Sequence, residues 1–92
     1  MSKIYRTNGT TEDVSPKNGT DFTLEELQDI VGGMIQLVYL GGRDVMVIDE
    51  EGKVNEPQKK LNKNATLIAR KYLFDGDFIA GDALVCDTEM VK

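Results

Sequence analysis

Apolar positions in this chain fall into short runs separated by stretches rich in Gly, Asn and Asp. Leu24, Leu27, Ile30 and Val31 recur at helical spacing, with Glu25, Glu26 and Asp29 between them, which predicts an amphipathic helix over 24–31. Thr23 and Glu26 have the Thr-x-x-Glu spacing of a capping box, so each satisfies an orphan N–H group at the helix start. Gly32-Gly33 stops the helix, because the chain must leave it through positive φ. Residues 34–40 follow as an apolar run broken only by Gln36. That pattern predicts a central strand covered on both faces, or a strand lying at an interface. Gly41-Gly42-Arg43-Asp44 predicts a tight reversal, and 45–49 returns as the partner strand of a hairpin.

Elsewhere the pattern is fainter. Residues 2–7 suit a short first strand, and 8–21, almost without apolar side chains, read as an exposed connection. A turn carrying Gly52 follows the hairpin, and Pro57 ends strand pairing. Leu61, Ala65, Ile68, Ala69 and Tyr72 align for a second helix over 63–73, with Asn62 or Asn64 as its N-cap. Residues 78–80 and 83–86 read as one strand interrupted by Gly81-Asp82, or as a short strand and a longer one. Residues 88–92 are expected to fray. The sum is a single α+β domain over 1–92, with a small antiparallel sheet and two short helices in the order β-α-β-β-α-β. That order is the ferredoxin-like split βαβ sandwich, with both helices on one face.

Composition narrows the possibilities. A chain of 92 residues supports one core, and with no Trp, three Phe and three Tyr the core must be aliphatic. Dimerisation would add burial to so small a domain. The N-terminus lacks the apolar segment of a secretory signal, no run reaches the ~18 residues of a membrane span, and a lone cysteine suits a reducing cytosol. The expected location is therefore cytoplasmic.

The net charge is −5, unevenly distributed. Lys53, Lys59, Lys60, Lys63, Arg70 and Lys71 against Glu56 give +5 between positions 53 and 71, leaving −10 for the rest. An acidic body disfavours nucleic acid. The basic segment is either a solvated face or a site for a small anionic ligand such as a nucleotide. In the second case Asn62, Lys63 and Asn64 would surround the start of the second helix, with Lys59, Lys60 and Arg70 nearby.

Signals of catalysis are missing. Without histidine, no side chain titrates near neutrality unless strongly perturbed. Cys86, in an apolar strand beside Asp87, suits a structural role more than a nucleophilic one. Asp49-Glu50-Glu51-Gly52 and the trio Asp75, Asp77 and Asp82 lack the alternating spacing of a calcium loop and read as turns. Gly32-Gly33 follows a helix instead of preceding one, so it is a cap and not a phosphate loop. No cofactor, metal or catalytic residue is expected.

Several segments occur in a familiar order: Phe22-Thr23-Leu24-Glu25-Glu26-Leu27-Gln28-Asp29-Ile30-Val31-Gly32-Gly33-Met34-Ile35, Asp49-Glu50-Glu51-Gly52-Lys53, Asn62-Lys63-Asn64-Ala65-Thr66, and Ile79-Ala80-Gly81-Asp82-Ala83-Leu84-Val85. Together they resemble an uncharacterised family of small proteins from bacteria, phages and mobile elements. In that pattern an aromatic residue and then Ile-Glu often follow the glycine pair; here Met34 and Gln36 take the aromatic and Glu places. The resemblance implies an intracellular accessory protein, and with no established catalytic residues in that family none is carried over. Thr23, Glu26, Gly32, Gly33, Gly52 and Gly81 read as structural positions. Two functions remain open: a non-enzymatic protein-binding module, which could also be a homodimer, and a binder of small anionic ligands through residues 59–71.

Overall fold

The computed structural model describes residues 2–51, 60–73 and 76–91. The expected turn at Gly52, and Lys53, Pro57, Lys59, Asp75 and Lys92, lie outside them. Among the described residues the domain has five strands and two α-helices: β1 (Ser2–Tyr5), β2 (Thr11–Val14), α1 (Leu24–Val31), β3 (Ile35–Tyr39), β4 (Asp44–Asp49), α2 (Lys63–Ala69) and β5 (Ala83–Asp87). The sheet has the order β2-β1-β5-β4-β3, and every neighbouring pair is antiparallel.

This is an α+β fold, but its winding is not ferredoxin-like. In a split βαβ unit the helix joins two parallel strands with a third between them. Here α2 joins β4 to β5, which are adjacent and antiparallel. The helices also lie on opposite faces, not on one. Leu27 and Val31 of α1 pack with Val45, Val47, Leu84 and Cys86, whereas Ala65 and Ala69 of α2 pack with Met46, Ile48 and Ala83. Successive residues of β4 therefore point into different cores, and Val45, Met46, Val47 and Ile48 are all buried. β4 is covered on both faces, as is the central strand β5. The run at 34–40, expected to be central or to lie at an interface, supplies β3 at the end of the sheet order.

The start of α1 follows the sequence reading. Thr23 Oγ1 accepts from the Glu26 N–H at 3.1 Å, and the Glu26 carboxylate accepts from the Thr23 N–H at 2.9 Å. These backbone donors, with the Lys17 N–H, hold the Glu26 carboxyl below its usual pKa. Leu24, expected on the buried stripe, is exposed. The two glycines after α1 do different work. Gly32 is the left-handed cap at φ 83°, while Gly33 admits the Asp49 side chain, which lies within 3 Å of where a Cβ would stand.

Residues 8–21 contain more than a connection. The turn at Asn8-Gly9 brings β2 back along β1, with Asn8 Oδ1 accepting from the N–H and hydroxyl of Thr10. Arg6 of this hairpin joins Glu12 and Asp82, both at 2.8 Å. Residues 88–91, where fraying is expected, take up regular local structure. A 3-10 turn at Thr88–Met90 leads to a bridge between Val91 and the buried Phe22, whose N–H donates to Met90 O at 2.8 Å. The second helix is shorter than expected, ending at Ala69 and tightening into a 3-10 turn over Arg70–Tyr72. Ile68 and Tyr72, expected on its buried face, are exposed; Ala65 and Ala69 form the contact, and their small size lets the helix sit close.

Candidate functional site

Among the described residues, the side chains of the basic segment do not gather into one site; Lys59 lies outside them. Asn62 caps α2 and is fully buried: its Oδ1 accepts from the Ala65 N–H at 3.0 Å, and its Nδ2 donates to Tyr5 O at 2.7 Å and Gly81 O at 2.9 Å. Expected beside a small anionic ligand, its side chain is instead placed against the backbone of β1 and Gly81. The helix start is satisfied by its own cap. Asn64 reaches toward Gly9 O at 3.5 Å, and Lys63, Arg70 and Lys71 are exposed. Lys60 alone of these lines a polar cleft of about 440 Å³, together with Arg6, Asp29, Gly32, Gly81 and Asp82. Two cations there face two carboxylates, and the guanidinium of Arg6 is already occupied by Glu12 and Asp82. The arrangement offers an incoming anion little net attraction. Gly81 is structural, at φ 84° with its N–H donating to Lys60 O at 2.8 Å.

The acidic turns and the thiol are equally quiet. Asp49 is buried, and its Oδ1 accepts from the Glu51 N–H at 2.9 Å, the self-closing turn expected of Asp-Glu-Glu-Gly. Among the described residues, no group of His, Cys, Asp and Glu is placed to hold a metal ion. Burial, then the charges of Asp87 and Asp44, push the Cys86 thiol up to about 11. Iodoacetamide at neutral pH should therefore label native Cys86 far more slowly than the urea-unfolded chain, by about a hundredfold. Equal rates would show an accessible thiolate. The same shift costs stability in alkali: the unfolded thiol ionises from near 9.0 while the folded one keeps its proton, so stability falls as pH rises from there toward 11.

The surface that stands out is the free side of β3. The ladder fixes which way its backbone points: Met34 O accepts from the Glu50 N–H, and the Leu40 N–H donates to Asp44 O. Even-numbered positions therefore face β4, and the N–H and C=O groups of Ile35, Leu37 and Tyr39 face outward. Among the described residues no strand pairs with that side. Tyr39 is 62% exposed and Met34 58%. No charged residue occurs from Ile30 to Gly42, the longest uncharged run in the chain. The opposite edge differs: β2 presents Thr11, Glu12 and Asp13, and acidic side chains of that kind deter strand addition. In sequence terms the signal was the run at 34–40, whose second reading, a strand at an interface, marks the same residues. Tyr39, Leu37 and Ile35 were not singled out because the run does not reveal which side lacks a neighbour.

The chain belongs to the family described as domain of unknown function DUF3846, whose model matches residues 5–90. No curated protein and no solved structure matches it. Among the described residues, no helix is long and apolar enough to cross a membrane.

Proposed function

We propose that this chain is a non-enzymatic protein-binding module, an intracellular accessory factor of phage or mobile-element type, which engages its partner by strand addition at β3. One observation supports this reading above others: the only long uncharged run in an acidic chain lies on a sheet edge with three outward-facing peptide groups. Main-chain hydrogen bonds would supply affinity there, and Tyr39 and Met34 would supply apolar contact.

Tyr39→Pro is the matched probe. The Tyr39 N–H points away from β4, so proline removes an outward donor and leaves the β3–β4 ladder complete. The tagged protein should capture its partner, and Tyr39→Pro should reduce capture about tenfold or more at an unchanged melting temperature. Undiminished capture by the proline variant would move the binding surface elsewhere.

A further inference from the structure

Resting on that reading of β3 as an interaction edge, we infer that its partner is a second copy of this chain, paired antiparallel about a two-fold axis through Leu37.

The register is self-complementary. Leu37 is the middle residue of β3 and also the middle one of the three whose peptide groups face outward. A two-fold axis there sets Leu37 against Leu37 and each Ile35 against the partner's Tyr39. All three are positions where antiparallel strands exchange both N–H···O=C bonds. An axis through Gln36 or Val38 would pair only Ile35 with Leu37, or Leu37 with Tyr39, and would leave the third outward position opposite a glycine beyond the strand. Side chains agree with the backbone. Ile35, Leu37 and Tyr39 share the α1 face of the sheet, so the axis brings each exposed tyrosine over a β-branched side chain, a favourable cross-strand pair. Met34 would meet Leu40 beyond the strand end.

Charge selects the same occupant. At −5 each, two copies repel over most orientations. Joined through the uncharged segment from Ile30 to Gly42, they place no like charges across the seam. An acidic or a basic partner would find no counter-charge there. One strand pair with its flanking side chains lies near the lower bound of stable interfaces, about 1,000 Å², so the association should be weak and depend on concentration.

Sedimentation equilibrium of the purified protein up to about 0.5 mM should show a monomer–dimer equilibrium, which Tyr39→Pro weakens about tenfold or more. Hydrogen exchange gives the residue-level readout. The N–H groups of Ile35, Leu37 and Tyr39 should become protected as concentration rises, whereas those of Gln36 and Val38 should be protected throughout. Cross-linking tests the axis. In a Cys86→Ala background, Leu37→Cys should be coupled into a covalent dimer by a short bifunctional maleimide, since hydrogen-bonded pairs stand about 5.5 Å apart between Cα atoms. Thr11→Cys on the other edge should not. A monomer at the highest concentration, with fast exchange at all three amides, would overturn the second copy as partner. If that monomer still captured a different protein in a Tyr39-dependent way, β3 would stand as an interaction edge. Without such capture both readings fall. A dimer untouched by Tyr39→Pro, with Leu37→Cys failing to cross-link, would place the interface elsewhere.

Discussion

Asn62→Ala should lower the stability of this domain by about 3–4 kcal/mol, seen as a large fall in the urea midpoint. The side chain is small, yet it satisfies three backbone groups from three parts of the chain: the Ala65 N–H, the Tyr5 carbonyl and the Gly81 carbonyl. Truncation leaves all three without that partner in a site closed to water, each at about 1 kcal/mol or more. Asn62→Asp separates capping from bridging. Aspartate keeps the acceptor for Ala65, but it replaces the two donors with an oxygen aimed at two carbonyl oxygens. It should be no more stable than alanine, although aspartate is an excellent N-cap elsewhere. If Asp proved nearly neutral, capping would be the whole role of Asn62 and the links to β1 and Gly81 would count for little.

Gly33→Ala should cost about 2–3 kcal/mol, by overpacking and not by backbone strain. Gly33 is not among the positive-φ glycines, so alanine could adopt its conformation. What alanine cannot do is occupy the same space. Its Cβ would lie 2.8 Å from Asp49 Oδ1 and 2.9 Å from Oδ2. The Asp49 carboxylate is buried on a short side chain, and its Oδ1 is tied to the Glu51 N–H, so it has little freedom to retreat. Asp49→Ala in the same chain removes the obstruction, and the double variant should be less destabilised than the sum of the two singles. Strict additivity in that cycle would mean the two residues do not press on each other. Gly32→Ala, by contrast, acts through its left-handed φ and should cost only about 1 kcal/mol.

These two positions also mark how far the sequence could be read. Interactions within a few residues were legible: the Thr23–Glu26 box, the cap at Gly32, the hairpin of β3 and β4, and the second cap, narrowed to Asn62 or Asn64. Each is specified by neighbours in the chain. The reason for Gly33 was not legible, because Asp49 is distant in sequence and only strand pairing brings it back. The same holds for the two helices. An amphipathic stripe says that a helix has a buried side, but nothing in α2 says which face of the sheet receives it. The clue lay in β4, where Val45, Met46, Val47 and Ile48 leave no polar face. Strand β2 escaped notice for the opposite reason: Thr-Glu-Asp-Val carries no apolar alternation, and only the Asn8-Gly9 turn hinted at a hairpin. As for the candidate edge, the apolar run marked the residues, and the sheet order was needed to show which side of them is open.

The pairing of β1 with β5 has a consequence for synthesis. A ribosome that has released everything up to α2 has delivered both helices and four of the five strands, yet the central place in the sheet is still empty. Until β5 emerges, β1 and β4 each show a bare flank, and neither core can close. Productive folding is thus postponed until Ala83–Asp87 has emerged, and a transcript truncated before Ala83 should yield a chain fit only for chaperones and proteases.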